Sequence, residues 1–182
     1  NGQIYGAELR HGAMHFKGTN AYVNCGNHES LNLTDELSIV VWLNRQEETF
    51  STYPGIVARN NRQYAIKGVK GKKEISFAIK NATGSKESGL YYAVEPYTWY
   101  QIAVTWRNST RIGKLYSNGE LITSKTYSID IGSYPNAYLY IGYEISDYYF
   151  KGYIGEVLIF NKVLSEDEIR ILYELTSPYG TH

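Results

Sequence analysis

Disulfides are excluded from this chain of 182 residues, because Cys25 is its only cysteine and has nothing to pair with inside the molecule. The fold must stand on its apolar core, with or without a bound ion. No histidine or basic cluster of the kind that lowers a thiol pKa lies beside Cys25, so it reads as a small hydrophobe rather than a reactive group. A surplus of either charge is also missing. Lysine plus arginine (18) equals aspartate plus glutamate (18), which removes the field that would draw the molecule to nucleic acid or an anionic membrane. No apolar run reaches the roughly 20 residues needed to span a bilayer, so no membrane insertion is expected. The opening NGQIYGAELRHG lacks the basic and apolar pattern of a secretion signal, and it does not begin with Met, which fits a mature product or a domain excised from a longer protein. Catalytic signatures are scarce. There is no GxSxG elbow, and the histidines, His11, His15, His28 and His182, supply no third ligand at zinc spacing even if His11 and His15 share a strand face.

What is present is period-two alternation between turn signals, the pattern of an all-β, two-sheet antiparallel sandwich. Leu37, Ile39, Val41 and Leu43 share one face of a strand, with Trp42 on the other. Tyr64 and Ile66 suggest the next strand. Ile75, Phe77 and Ile79 then alternate with Glu74, Ser76 and Lys80, which predicts a wet outer face. Residues 81–89, NATGSKESG, read as one long polar loop. Tyr100, Ile102, Val104 and Trp106 line a further strand, and KLYSNGELI is a hairpin in which Asn118 and Gly119 supply the two positive-φ positions of a type I′ turn. Residues 138–143 form the penultimate strand. In the last strand Tyr153, Val157 and Ile159 alternate with Ile154, Leu158 and Phe160, so both faces are apolar. A short C-terminal helix follows: Ser165 is its N-cap, Glu168 completes a capping box, and Leu164 with Ile169 forms a hydrophobic staple. With no linker between Met14 and Tyr173, residues 1–182 read as a single domain with its core in roughly 12–175. Sequons at Asn32, Asn81 and Asn108 are what this composition produces by chance and carry no glycosylation claim.

Three segments carry a family resemblance. The run GYIGEVLIFNKVLSEDEIRILYE (152–174) resembles the pattern GxIDEVRIYNRALSxxEIxxLY, MHFKGTNAYVNCGNHESLNLTDELSIVVWL (14–43) resembles FDGxxDYVxxxxSxxLxLxxxFTIxxWV, and residues 98–125 resemble WxxxAxT followed by LYxNGxLV. In this order they are similar to the laminin-G-like jelly-roll domains of the concanavalin A-like lectin and glucanase superfamily, which implies a jelly-roll sandwich and places Trp42, Trp99 and Tyr22 in the core. The superfamily holds lectins, carbohydrate-binding modules, adhesion domains and enzymes, so the fold alone does not decide function. Its glucanases carry paired carboxylates as ExDxxE on one strand. No such motif occurs here, so the chain reads as non-catalytic, needing no cofactor. Calcium is the one ion the resemblance suggests, with oxygen ligands from Glu156, Asn20 and the Gly18 carbonyl, although Gly155 stands where the pattern has Asp. The alternative for Glu156 is a buried carboxylate hydrogen-bonded to the N-terminal loop.

Tyrosine is the compositional outlier, with 19 beside five phenylalanines and three tryptophans. A flat ring with a polar tip stacks on the C–H face of a sugar while amides and charged groups take its hydroxyls. Strand propensity accounts for Tyr64, Tyr100, Tyr138 and Tyr140. The remaining loop and strand-end residues form the candidate site: Tyr53; Tyr91, Tyr92 and Tyr97; Tyr143, Tyr148 and Tyr149 with Glu144 and Asp147; and Arg59, Asn60 and Asn61 in a turn. The function this points to is a carbohydrate-binding module, extracellular or on the cell surface as part of a larger protein. A protein-binding or adhesion domain is the alternative, and a structural spacer the third.

Overall fold

The computed structural model describes residues 2–176; His182 and the two ends of the 1–182 span lie outside the described residues. In chain order the strands are β1 (Gln3–Tyr5), β2 (Glu8–Arg10), β3 (Ala13–Lys17), β4 (Tyr22–Asn24), β5 (Glu36–Arg45), β6 (Gly55–Arg59) and β7 (Tyr64–Gly68). They continue with β8 (Glu74–Lys80), β9 (Lys86–Ala93), β10 (Tyr100–Arg107), β11 (Ile112–Ser117), β12 (Glu120–Thr126), β13 (Leu139–Ile141) and β14 (Lys151–Phe160), before helix α1 (Glu166–Thr176). Two seven-stranded sheets result, ordered β1-β4-β13-β6-β7-β8-β9 and β12-β11-β10-β5-β14-β3-β2, with antiparallel ladders throughout the described pairs. This is the sandwich that the alternation calls for.

Between the sheets, Leu37, Ile39, Val41 and Leu43 of β5 share one buried cluster with Phe77, Ile102, Val104 and Trp106. Tyr127 closes it edge-on against Trp106 (5.2 Å), and its hydroxyl donates to the Phe77 carbonyl at 3.0 Å, so the one polar atom it carries inward is satisfied. Cys25 packs half-buried against this cluster, and burial pushes its thiol pKa up, in keeping with an inert side chain.

A second cluster explains why both faces of β14 are apolar. Leu158 and Phe160 point outward beneath α1, where they meet Val40, Ala103, Tyr116, Leu164 and Ile169. The parity read along this strand is only half right. A bulge between Ile154 and Val157 inserts a residue, so that Ile154, Val157 and Ile159 all reach the core while Tyr153 lies on the opposite face. The capping box forms as read: the Ser165 N–H donates to Glu168 Oε2 at 2.8 Å and the Glu168 N–H to Ser165 Oγ at 3.2 Å. Trp42 also lies under the helix, stacked on Tyr173 at 5.7 Å, with its indole N–H donating to Thr176 Oγ1. Asn118 and Gly119 take φ of 51° and 83°, as the hairpin requires.

Five expectations need correction. The polar stretch 81–89 is only in part a loop: β9 begins at Lys86, and Asn81 closes a tight turn by accepting from Ser85 N and Thr83 Oγ1. A strand at the edge of a sheet keeps a polar face and so looks like a loop. The penultimate strand shrinks to β13, followed by a single Tyr143–Tyr149 bridge. The outer face of β8 is not wet at its centre, since Ser76 and Ala78 are 1% and 2% exposed. Trp99 and Tyr22 are half-buried rather than core residues, and His11 turns the chain between β2 and β3 instead of sharing a strand face with His15.

Two predictions follow from this packing. Ser165→Ala removes a satisfied cap and lowers stability by about 1 kcal/mol in urea titration, whereas Ile169→Ala empties a fully buried site and costs about 2–5 kcal/mol. Glu87 gives the pH response. Burial opposes its charge, but Lys125 and both the hydroxyl and N–H of Ser128 bind it and hold its pKa down to about 2 from 4.5. A depressed carboxylate stabilises above its unfolded pKa and loses that effect as pH falls. The wild-type chain therefore loses this group's contribution, about 1 kcal/mol for a pair screened by water, as pH falls from 4.5 to 2, and Glu87→Gln flattens that part of the stability curve.

Candidate functional site

Register across the first sheet lines up side chains from separate strands. One row, perpendicular to the strands, runs Asn24–Tyr140–Ala58–Ala65–Ala78–Ser88, through successive pairs of β4, β13, β6, β7, β8 and β9. Its middle is three alanines, exposed by 1%, 0% and 2%, on the face turned away from the core cluster. An outward alanine that is fully buried must be covered. The adjacent row places Tyr5 beside Tyr22 on β1 and β4, and Gly55, Lys67 and Ser76 side by side on β6, β7 and β8.

The cover comes from the loop between β13 and β14. A Cβ on Gly55 would stand 2.3 Å from the Tyr143 carbonyl oxygen and 2.9 Å from Glu144 N, so only glycine lets this loop settle on the sheet. From that seat the Glu144 carboxylate forms an ion pair with Arg62, which comes from the turn at the other end of β6.

Two buried oxygens on this face have no hydrogen-bond partner among the described residues, and a lysine beside them has no ion pair. Glu144 is 2% exposed and its Oε2 is unpaired; Ser76 is 1% exposed and its Oγ is unpaired. Lys67 is 6% exposed, and its ammonium group is held only against the Tyr53 ring, 5.1 Å from the centroid. Desolvation pulls the Lys67 pKa down and Glu144 opposes that, while Arg62 and Lys86 add to the decrease. Leaving such groups buried and unmatched costs about 1–3 kcal/mol apiece, more for charged ones, a cost that a ligand supplying donors and acceptors would relieve.

Aromatic rings flank the recess. Tyr53 meets Tyr148 at 6.1 Å beside Lys67. On the other flank, Tyr5 stacks on Tyr22 at 4.7 Å, Tyr22 meets Tyr143 at 5.3 Å, and Tyr143 meets both Tyr140 (5.2 Å) and Tyr149 (5.0 Å). Burial, reinforced by neighbouring phenols or by Asp147, pushes the pKa of Tyr140, Tyr143 and Tyr149 up, so their hydroxyls stay protonated donors at neutral pH.

Of the residues picked from the sequence, Tyr53, Tyr143, Tyr148 and Tyr149 come together here with Glu144, and Asp147 sits exposed at positive φ on the tip of the same loop. Asn60 lies in the turn after β6, its N–H donating to the Tyr138 carbonyl, while the side chain of Asn61 is outside the described residues. Arg59 does not belong. It is fully buried and clamps the carbonyls of Ala137 and Tyr134, because β6 extends through it and turns it inward. Tyr91, Tyr92 and Tyr97 do not join either: Tyr91 is exposed on the edge strand β9, Tyr92 packs on Tyr100, and the Tyr97 N–H is tied to the Arg45 carbonyl of the other sheet.

The three residues named for calcium are also kept apart. Gly18 adjoins Lys151, at the start of β14, whereas exposed Glu156 lies five residues further along that strand, roughly 15 Å away at strand rise. Gly18 and Asn20 therefore cannot share a coordination sphere with Glu156, which needs no buried partner. Among the described residues no three His, Cys, Asp or Glu side chains gather.

Sequence reasoning missed Lys67, Ser76, Arg62 and Tyr5, assigned Tyr22 to the core, and gave Tyr140 to strand propensity. A signal was present. Outward alanines on three successive strands mark a face built to be approached closely, and a lysine inside the apolar strand YAIKG marks a charge that must be used.

Comparison with known proteins agrees with this architecture. Serum amyloid P-component of Sus scrofa is 25% identical over 170 residues, covering 81% of this chain and 74% of that protein. Similar solved structures include the receptor-binding domain of botulinum neurotoxin C/D mosaic serotype (TM-score 0.79, 15% identity, 97% of this chain and 46% of that one). The binding domain of Paraclostridial Mosquitocidal Protein 1 is another (TM-score 0.75, 16% identity, 95% of this chain and 47% of that one). These share the fold, and the chain spans about half the length of those binding domains. Among the described residues no helix is long and apolar enough to cross a membrane. A family model described as the concanavalin A-like lectin/glucanases superfamily, of laminin-G type, matches residues 17–170, and the chain belongs to that superfamily.

Proposed function

We propose that this domain binds carbohydrate without transforming it, in the recess on the outer face of the first sheet. The observation that carries the reading is the presence on one sheet face of two buried, unmatched oxygens, Ser76 Oγ and Glu144 Oε2, and of Lys67, which has no ion pair among the described residues, beside tyrosine rings. Sugar hydroxyls both donate and accept, so one pyranose edge can satisfy an ammonium, a hydroxyl and a carboxylate together while its C–H face rests on a ring. The ionic partner of Glu144 is Arg62 rather than a second carboxylate, which suits a group that holds a ligand better than one that hydrolyses it. Affinity is modest, because a sugar exchanges hydrogen bonds with water for hydrogen bonds with protein and keeps only the difference. An extracellular or surface setting within a larger protein fits a module of this kind, as do the receptor-binding and binding domains of the toxins that share its fold.

A glycan array followed by calorimetry on the best ligand tests the reading. Tyr148→Ala and Tyr53→Ala each weaken binding by about tenfold, the loss of one stacked ring, with melting temperature nearly unchanged because both rings are at the surface. Lys67→Met separates function from packing. Replacing an unmatched buried ammonium with an isosteric apolar chain leaves stability equal or higher, while affinity falls about tenfold or more. Undiminished sugar binding in Lys67→Met moves the site elsewhere, and an array without a hit, combined with capture of a surface protein, favours adhesion.

A further inference from the structure

Resting on the carbohydrate reading, we propose that the sugar taken by this recess carries an acid group, a carboxylate or a sulfate, seated between Lys67, Arg62 and Lys86. The argument is an imbalance of charge that the neutral composition conceals. Lys80 and Lys86 face each other directly across the β8–β9 ladder, where like charges repel. Arg62 and Lys86 both depress the pKa of Lys67, Arg62 and Lys80 depress that of Lys86, and Glu144 is the one carboxylate that opposes either shift. Arg62 already occupies Glu144 Oε1.

Among the other lysines, Lys17 meets Glu8, Lys73 meets Glu95, Lys114 meets Glu166, Lys125 meets Glu87 and Lys162 meets Glu168, while Lys70, Lys72 and Lys151 stand exposed to water without an ion pair among the described residues. Lys67 differs from all of these in being buried, 6% exposed, with no carboxylate paired to its ammonium. Neither Lys67 nor Lys86 has an ion pair among the described residues, and Lys80 rests on the ring of Tyr134 at 4.6 Å. A cluster of cations left without counter-charges beside a buried lysine is a site that lacks an anion. Its other requirement is a hydroxyl donor for Glu144 Oε2 and Ser76 Oγ. Acid group and hydroxyls on one ligand describe an acidic sugar. The tyrosine flank favours a polymer whose further units lie on the rings over a single small anion.

Matched pairs of polysaccharides give the test: polygalacturonate against its fully methyl-esterified form for the carboxylate, and dextran sulfate against dextran for the sulfate, by affinity electrophoresis and calorimetry at about 0.15 M salt. One acidic member binds at least about tenfold tighter than its neutral partner, as a charge-assisted hydrogen bond allows. Which pair responds identifies the acid. Lys86→Ala, at an exposed position that leaves the fold intact, and Lys67→Met each reduce that preference severalfold, whereas Tyr53→Ala weakens both members alike. Equal binding of acidic and neutral members, or a preference that survives both lysine changes, overturns the acid-sugar assignment and leaves the carbohydrate reading standing. Binding to neither pair, with tight binding to phosphatidylserine vesicles, overturns both.

Discussion

Strand register in the first sheet is the constraint on which the binding face rests. Side chains alternate within each strand, so a slip of one residue between β6 and β7 would turn Ala65 and Lys67 inward and present Tyr64 and Ile66 to solvent. The buried cluster fixes the register, because Tyr64, Ile66, Phe77 and Ile79 can fill the space between the sheets in only one parity. The row Gly55–Lys67–Ser76 is therefore a by-product of core packing, delivered to the opposite face with the same precision.

On that scaffold a second contact does local work. Tyr143 and Glu144 settle on Gly55, and the loop they open carries Tyr148 and Tyr149 to the two flanks of the recess. The ion pair with Arg62 then ties the loop to the turn after β6. Charge and packing oppose each other here. Small residues let the cover come close, and the closeness strips water from Lys67, Ser76 and Glu144, leaving them strongly disposed toward any ligand that matches them. A domain selected for stability alone would place apolar side chains at these positions.

Much of the fold was legible because its signals are local. The capping box at Ser165 and Glu168, the Asn118–Gly119 turn and the alternation in β5 each fit within a few residues. Errors arose where a neighbour in space changed the local rule. The bulge in β14 shifted its parity, the edge position of β9 made a strand look like a loop, and the covering turn dried the face of β8. The site was half legible for the same reason. Tyr53, Tyr143, Tyr148, Tyr149 and Glu144 stood out as surplus aromatic or polar residues in loops, whereas Lys67 and Ser76 sit inside strands and look like ordinary alternation.

The amino-acid sequence by itself determined the sandwich, its closing helix and an excess of tyrosine, since each is written in spacing along the chain. Only the tertiary structure decided which tyrosines share a face, that Arg59 is a buried clamp, and that Glu156 stands far from Gly18. It also brought Lys67, Arg62 and Lys86 within electrostatic reach of Glu144 and set Lys80 opposite Lys86, out of a chain with no net charge. The physical reason is the sheet itself: periodicity along a strand is a property of neighbours in sequence, while a row across strands joins residues as distant as Lys67 and Glu144 through hydrogen-bonded register and the packing of loops above it.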